Sequence, residues 1–335
     1  MRPFSLLIKP AGGGCNISCH YCFYNSHKGG MMSIDVARRV LDEYAMLPFA
    51  EKSVALQGGE PLLASGSGII ELIEEYPFER SVQTNATLMT DNLARKFRDG
   101  GWLVGASLDG PRELNALRDG SFDAAVRGIR LLEKHDVAYN ILTVVSKANV
   151  AHPVEVYRFL RDNFKTRFHQ YIECTGPRDE ITGEEWGAFL VALFDEWIKN
   201  DSHTLSIRLF ESIASQTLFG HPAQCSFDTS CRHHLVVEHD GAVYPCDFHV
   251  RDDLRLGIVG NDSLISMLAS PKYVAFSSAK TANLPAKCRT CRHLAFCNGD
   301  CPRNRQTLCA GWLRFFDHAL PRLRQLAIEA AVRQN

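Results

Sequence analysis

The sequence lacks the features that direct a protein to a membrane, to secretion or to a nucleic acid. No window holds the roughly 18 apolar residues of a membrane-spanning helix, and residues 1–14 have neither the apolar core nor the cleavage site of a signal peptide. Basic runs, acidic tails and low-complexity tracts are also missing, and the formal net charge is −1. Electrostatic binding of nucleic acids or lipids is therefore not expected. These absences predict a cytoplasmic protein with no membrane or nucleic-acid partner.

Cysteine is the residue that this sequence has in excess. Twelve cysteines are spread over 335 residues, a length that suits about two domains of roughly 150 residues. A chain of this length can bury a full hydrophobic core and needs no disulfides for stability. Because cytosolic thiols stay reduced, so many cysteines indicate metal or redox chemistry.

Short apolar runs alternate with amphipathic helical patterns over the first two-thirds of the chain. Ser33 and Thr90 are candidate N-caps of two helices, and longer helical patterns cover 122–135 and 182–199. The strand candidates are 4–8, 53–57, 81–84, 103–107, 139–144 and 167–171. Six strand-then-helix units at this spacing predict an α/β fold with a parallel sheet.

Six units predict a partial, open (β/α)6 barrel of the TIM type. A flat doubly wound sheet is the alternative, because periodicity does not distinguish the two. After about residue 205 hairpin patterns replace the units, as at 234–238 and 242–245 around an Asp-Gly turn. Eight of the 12 cysteines follow residue 220. We therefore expect two domains, 1–205 and a cysteine-rich 206–335.

The first cysteine cluster directly follows the first predicted strand. Cys15, Cys19 and Cys22 lie within eight residues, after the loop Gly12-Gly13-Gly14. Three thiolates on one short loop suit a cubane iron–sulfur cluster that leaves one iron without a protein ligand. The alternative is a structural zinc site with His20 as the fourth ligand, although its position between two ligands would strain the loop.

This cysteine motif, with Phe23 and Tyr24 after it, resembles that of the radical S-adenosylmethionine (SAM) enzymes. The segment 57–61, Gln-Gly-Gly-Glu-Pro at the end of the second strand, is similar to the GGE motif of that superfamily. The resemblance implies that the three cysteines hold a SAM-binding [4Fe–4S] cluster. It also implies a set of SAM contacts: Tyr24, Gly58, Gly59, Glu60, Asn85, Ser107 and Arg127. Gln57 is a candidate substrate contact.

Independent support for three of these contacts comes from their order along the chain. Asn85 and Ser107 end the third and fourth strands, and Arg127 lies on the next helix. The carboxyl ends of consecutive strands are where a parallel barrel builds its active site. Taken one by one, the residues would instead be a turn asparagine, a helix-capping serine and a surface arginine.

The C-terminal cysteines follow, one by one, the order of the SPASM domain of peptide- and protein-modifying radical SAM enzymes. Eight thiolates can complete two auxiliary [4Fe–4S] clusters, which gives three clusters in all. The resemblance implies that one cluster is held by Cys225, Cys231, Cys246 and Cys301, and the other by Cys288, Cys291, Cys297 and Cys309. One or two zinc ribbons are the alternative, because Cys288-x2-Cys291 by itself would fit zinc.

Nearly end to end, the chain most resembles the anaerobic sulfatase-maturating enzymes, through segments such as Lys9-Pro10 and 243–248. The resemblance implies that a 5′-deoxyadenosyl radical removes a β-hydrogen from a cysteine or serine of a polypeptide, which becomes formylglycine. Asp247, in the YPCD segment, would be the catalytic base, and an auxiliary cluster would take the second electron. The implied partners are a sulfatase and an external one-electron donor such as flavodoxin or ferredoxin.

Several departures from that family keep other functions open. The chain is short, the loop 113–120 is compressed, and Ala86 stands where the family has glycine. A maturase that forms thioether or carbon–carbon crosslinks in a ribosomal precursor peptide uses the same two-domain layout. A zinc-stabilised binding module is a remote alternative. Cys174 has no partner at metal-ligand spacing and is expected to be a buried free thiol.

Overall fold

The structure, a computed structural model, describes residues 3–176 and 178–334. Within them, the strands are β1 (Phe4–Ile8), β2 (Lys52–Leu56), β3 (Glu79–Thr84), β4 (Leu103–Ser107), β5 (Tyr139–Val145), β6 (Phe168–Glu173), β7 (Ser206–Ile207), β8 (His234–Val237), β9 (Ala242–Tyr244) and β10 (Gly257–Ile258). The α-helices there are α1 (Ile34–Ala45), α2 (Ile69–Glu74), α3 (Asp91–Asp99), α4 (Phe122–Lys134), α5 (Pro153–Asn163), α6 (Gly183–Asn200), α7 (Arg208–Phe219), α8 (Leu264–Ala269), α9 (Pro271–Ala282), α10 (Ala286–Arg289), α11 (Leu294–Cys297) and α12 (Cys309–Gln334). A helix follows each of β1 to β6, so the predicted α/β class with six strand-then-helix units is confirmed.

Two compact units share the chain, and neither is continuous in sequence. Unit 1 contains the described residues of 1–107, 121–139 and 231–279, and unit 2 contains those of 108–120, 140–230 and 280–335. The division of the chain into domains 1–205 and 206–335 stays a prediction.

The sheet of unit 1 is built around β1. Its buried residues Phe4, Leu6 and Ile8 alternate with half-buried ones. β1 pairs in parallel with both β2 and β8, with Ile8 opposite Leu56 on one side and Val237 on the other. β3 and β4 extend the parallel part, and β9 and β10 continue antiparallel from β8. The carboxyl ends of β1 to β4 therefore lie at one edge, where the sequence motifs follow them.

The helices of unit 1 begin where their capping residues predict. The Ser33 hydroxyl accepts from the Val36 N–H, and the Thr90 hydroxyl accepts from the Leu93 N–H. Each cap satisfies a donor that the first helical turn leaves without a partner. Both predicted N-caps are confirmed.

Unit 2 combines a short parallel sheet with a close pair of long helices. β5, β6 and β7 pair in parallel. α6 starts at a capping box of Thr182 and Glu185, and it packs against α12 through glycines. A Cβ atom added to Gly311 would lie 2.2 Å from the Gly183 carbonyl oxygen, so only glycine allows the two backbones to approach this closely.

Candidate active site

The loop after β1 carries Cys15, Cys19 and Cys22 and is folded by its own backbone. The Gly14 N–H donates to the Ala11 carbonyl at 2.9 Å, and the Cys22 N–H donates to the Cys19 carbonyl at 3.1 Å. All three cysteines are free thiols, with Cys15 exposed and the other two half-buried. The loop thus presents thiols that form no disulfide at the edge where β2 and β3 also end.

Gly59 and Glu60 of the GGE segment join this loop to the end of β2. The Gly59 N–H donates to the Gly12 carbonyl at 2.8 Å, and the Glu60 N–H donates to the Gly14 carbonyl at 2.7 Å. A Cβ atom on Gly59 would lie 1.9 Å from the Gly14 oxygen. Gly59 is therefore required by the contact between two backbones, which is a structural reason beside its predicted role at SAM.

Glu60 is buried and connects the GGE segment to the end of β3. Its carboxylate accepts from the Leu62 N–H at 3.0 Å, the Thr84 hydroxyl at 2.6 Å and the Asn85 N–H at 2.8 Å. A buried carboxylate is stable only with such donors. Both oxygens have protein partners, so the geometry shows Glu60 organising the strand end.

Asn85 connects the end of β3 to the first cysteine. Its side-chain amide donates to the Asn16 side-chain oxygen at 2.9 Å and lies 3.7 Å from the Cys15 sulfur. On the next strand, the Ser107 hydroxyl accepts from the Gln83 side chain at 3.0 Å. Two of the predicted SAM contacts thus take part in polar contacts at the carboxyl edge of neighbouring strands.

Arg127 lies on α4, beside the turn that follows β3. It is exposed and lines a cavity of about 340 Å³ together with Thr87 and Met89. The next residue, Gly128, contacts the turn so closely that a Cβ atom there would lie 2.0 Å from the Ala86 carbonyl oxygen. Ala86 itself has φ +61°, a left-handed conformation that favours glycine. The glycine usual in the resembling family would fit this position without strain.

Asp247, the predicted base, begins the turn Asp247–His249 directly after Cys246. Its carboxylate forms an ion pair with the buried Lys9 ammonium. The Lys9 nitrogen also lies 3.7 Å from the centroid of the Tyr24 ring. The Tyr24 hydroxyl donates to the Glu238 carboxylate. Tyr24 is therefore a buried packing partner of Lys9 as well as a predicted SAM contact.

Burial and nearby charges shift the pKa values of Tyr24 and Glu238. Burial, followed by the negative charge of Glu238, raises the pKa of Tyr24 well above its ordinary value. Burial also raises the pKa of Glu238, although the Tyr24 hydroxyl and the Lys9 charge act against the shift. The neutral tyrosine is therefore the stable form and serves as a hydrogen-bond donor.

The eight C-terminal cysteines differ in what the structure shows of them. Cys231 and Cys246 belong to unit 1, whereas Cys225 and Cys301 belong to unit 2. Grouping these four around one auxiliary cluster stays a prediction. All eight are free thiols.

The other predicted set does come together within unit 2. Cys288, Cys291, Cys297 and Cys309 line one cavity of about 90 Å³, whose wall includes Trp312 and Phe316. Burial raises the pKa of the Cys297 thiol to about 12. Metal coordination stabilises a thiol as its thiolate, and a cavity lined by four cysteine thiols fits a [4Fe–4S] cluster.

Close to these thiols lies a buried acidic pair that the sequence analysis missed. The Asp300 carboxylate accepts from the Trp312 indole N–H at 2.8 Å and from the Cys301 N–H at 2.6 Å. The Glu173 carboxylate accepts from the Asn304 amide at 2.6 Å. Burial raises the pKa of both acids, and the negative charge of Asp300 raises the pKa of Glu173 further. A signal was present, since Asp300 directly precedes a predicted ligand.

Three further observations concern the described residues as a whole. No three His, Cys, Asp or Glu side chains among residues 3–176 and 178–334 are arranged to hold a single metal ion. Cys174 is buried at the end of β6, with its sulfur 3.5 Å from the Arg178 carbonyl oxygen. None of the helices in this part of the chain is long and apolar enough to cross a membrane.

Comparison with protein families and curated relatives agrees with this geometry. The radical SAM superfamily matches residues 10–160, and an iron–sulfur cluster-binding domain, SPASM, matches residues 225–292. A serine-type anaerobic sulfatase-maturating enzyme of Bacteroides thetaiotaomicron is 31% identical over 96% of this chain and 90% of its own length. A cysteine-type enzyme of Clostridium perfringens is 32% identical over 98% of this chain and 99% of its own length.

Solved structures extend the similarity to three dimensions. Native anSMEcpe with bound AdoMet and the Kp18Cys peptide has a TM-score of 0.90 and 32% identity, over 98% of this chain and 99% of that one. Streptococcus suis SuiB bound to the precursor peptide SuiA has a TM-score of 0.70 at 18% identity, which shows a shared fold. Family membership brings SAM, a SAM-binding [4Fe–4S] cluster and auxiliary iron–sulfur clusters as cofactors. The chain is a radical SAM enzyme with a SPASM domain and belongs to the family of the anaerobic sulfatase-maturating enzymes.

Proposed function

We propose that this enzyme oxidises a cysteine or serine of a polypeptide to formylglycine. The observation that carries this proposal is similarity above 30% along nearly the whole chain to relatives named for both the cysteine and the serine reaction. The free thiols of the first loop, the polar network at Asn85 and the carboxylate of Asp247 all belong to unit 1, which supports the same reading.

The residues of unit 1 divide into those that hold the cofactor and those that shape its site. Cys15, Cys19 and Cys22 would bind the cluster, and Asn85, Ser107 and Arg127 would contact SAM. Two other predicted contacts, Tyr24 and Glu60, have their polar atoms bonded to protein groups, so they would act mainly by holding the loops in place. Gly58 and Gly59 would offer backbone groups, and the neighbouring Gln57 would face the substrate.

The cofactors supply the redox chemistry, and the protein must supply the proton acceptor. Bound SAM provides hydrogen-atom abstraction, and the auxiliary clusters provide a site for the second electron. Asp247 would accept a proton from the thiol or hydroxyl of the substrate residue, because its carboxylate is partly exposed, with 19% of the side chain accessible. Two auxiliary clusters would use Cys225, Cys231, Cys246 and Cys301 for one and the four cysteines of the 90 Å³ cavity for the other.

Anaerobic assays on two matched peptides test the proposal. Each peptide carries the sulfatase motif, one with cysteine and one with serine, and the products are analysed by mass spectrometry after labelling of aldehydes. Formation of formylglycine from cysteine exchanges sulfur for oxygen and yields an aldehyde, whereas a crosslink only removes two hydrogens. A crosslink without an aldehyde would replace this proposal by the ribosomal-peptide maturase. Stoichiometric zinc and no 5′-deoxyadenosine would indicate a binding module instead.

The electron donor that we propose is an acidic carrier of the flavodoxin or ferredoxin type. Residues 287–324 contain eight Lys and Arg and two Asp, whereas the whole chain has a net charge of −1. Lys287 lines the cysteine cavity, and Arg289 and Arg292 are exposed nearby in sequence. A basic surface of this kind favours an acidic partner. We also propose a cytoplasmic location, since none of the 12 cysteines, all within the described residues, forms a disulfide.

Charge reversal tests this docking surface. Changing Lys287 and Arg289 to Glu should slow electron transfer from a reduced flavodoxin and weaken its dependence on salt. The exposed Lys199, also in unit 2, provides the matched control as Lys199→Glu. Equal rates for both variants would exclude this surface.

A further inference from the structure

Lys9 is a buried cation that none of the roles above employs. It follows β1 directly, and only 1% of its side chain is exposed. Removing an ammonium group from water costs several kcal/mol unless the fold provides compensating charge. The groups around the Lys9 ammonium therefore indicate what its charge does.

The compensating groups of Lys9 are the Asp247 carboxylate and the Tyr24 ring. The nearby Glu238 carboxylate adds a second negative charge. The ammonium pairs with one oxygen of Asp247, which lies 238 residues later in the chain. The Tyr24 ring lies 3.7 Å away, within the range of a cation–π contact. Lys9 thus joins the proposed base to the aromatic residue that follows the first cysteine cluster.

Backbone contacts and one glycine hold Lys9 in this place. The Lys9 N–H donates to the Val237 carbonyl at 2.9 Å, and its carbonyl accepts from the Gly12 N–H at 3.1 Å. Gly58 has φ +132°, and a Cβ atom there would lie 3.2 Å from the Lys9 Cβ. The first glycine of the GGE segment therefore leaves room for the lysine side chain.

We propose that Lys9 is a positioning residue that orients the carboxylate of Asp247 toward the reacting residue of the substrate. This inference rests on the proposed function, which makes Asp247 the proton acceptor. Because Lys9 engages one carboxylate oxygen from the buried side, part of the carboxylate stays accessible. Without the ammonium group, Asp247 would lose its ion pair and turn toward solvent.

Five variants test this role in the reconstituted holoenzyme. Lys9→Met keeps the length of the side chain without its charge, Lys9→Gln keeps a donor, and Lys9→Arg keeps both charge and donors. Asp247→Asn, alone and combined with Lys9→Met, completes a double-mutant cycle. The measurements are formylglycine formed per 5′-deoxyadenosine, peptide affinity by fluorescence anisotropy, iron content and thermal stability.

We expect Lys9→Met to lower formylglycine per 5′-deoxyadenosine by roughly 10²-fold, because a misplaced reacting group costs about that much. Peptide affinity should change by no more than about two-fold, since the binding step does not need the oriented carboxylate. Lys9→Arg should restore much of the yield and Lys9→Gln less. The double variant should be no worse than Asp247→Asn.

Different outcomes overturn different parts of the proposal. A wild-type ratio of product to 5′-deoxyadenosine in Lys9→Met, at full iron content, would remove the positioning role and leave the proposed function intact. If Lys9→Met fails to bind iron, Lys9→Gln takes its place. A wild-type ratio of formylglycine to 5′-deoxyadenosine in Lys9→Gln would then exclude the positioning role. No formylglycine from wild-type enzyme with either peptide would overturn the proposed function and, with it, the role of Lys9.

Discussion

The two cysteine sites of this enzyme differ in the groups that surround their thiols. The loop with Cys15 is held by backbone hydrogen bonds to the GGE segment and by polar side chains such as Asn85. The cavity lined by Cys288 and its three partners has a wall of aromatic residues, including Trp312. A cluster that must admit SAM needs an open, polar edge, whereas one fully bound by protein gains from an apolar enclosure that excludes water.

The largest effect that we predict concerns the first site. Gly59→Ala would place a Cβ atom 1.9 Å from the Gly14 carbonyl oxygen, and neither backbone can move without losing hydrogen bonds. We expect a loss of about 3 kcal/mol in stability and no detectable 5′-deoxyadenosine. Thermal denaturation and SAM cleavage assays would measure both.

The matched control for this variant lies nearby in the chain. Gly66 is exposed, and a Cβ atom there would meet nothing within 4 Å. Gly66→Ala should leave SAM cleavage unchanged. Wild-type activity in Gly59→Ala would show that the contact between the two loops is not needed.

A similar substitution in unit 2 should separate the two sites. Gly311→Ala would place a Cβ atom 2.2 Å from the Gly183 oxygen, at the contact between α6 and α12. We expect about 2 kcal/mol of destabilisation and loss of iron from the cavity whose proposed ligand Cys309 begins α12. SAM cleavage should persist at the first site, and equal loss of iron from both sites would contradict this separation.

Buried titratable groups should give the two units opposite responses to pH. In unit 2, burial lowers the pKa of His169 to about 4. A lowered histidine pKa contributes stability above the unfolded value of 6.5 that is lost as the pH falls toward 4. Between pH 7.5 and 5.5, we expect denaturant titrations to show a loss of about 1.3 kcal/mol.

His169→Gln and Glu238→Gln distinguish the two responses. Glutamine does not titrate, so His169→Gln should remove the loss of stability in acid. In unit 1, burial raises the pKa of Glu238, so its contribution is present at low pH and is lost as the pH rises. Glu238→Gln should abolish this opposite dependence of stability on pH. If either variant kept the wild-type dependence on pH, the substituted residue would not be the group responsible.

The smallest effect concerns Ala86. Replacement by glycine relieves a φ of +61°, worth about 1 kcal/mol, but it removes a fully buried methyl group worth about 0.8 kcal/mol. We therefore expect Ala86→Gly to change stability by less than about 0.5 kcal/mol. A change above 2 kcal/mol in chemical denaturation would show that the alanine serves another purpose.

Local patterns predicted much of the fold. A short apolar run predicted β1, and capping residues predicted the starts of α1 and α3, because both features depend on neighbours in sequence. The parallel pairing of β8 with β1 joins segments about 230 residues apart. Hydrophobic periodicity carries no information about such pairing, so the attachment of the hairpin to the first strand was not predicted.

In the candidate site, too, some features follow from the sequence and others only from the fold. The sequence by itself determined the residue types that chemistry requires, namely three thiols at the first strand, eight near the C-terminus and a carboxylate after Cys246. Only the tertiary structure decided that Lys9 pairs with Asp247 and that Glu60 connects the GGE segment to the end of β3. Spacing encodes which ligands a short loop can offer, whereas long-range contacts follow from how the strands pack, which one sequence does not specify residue by residue.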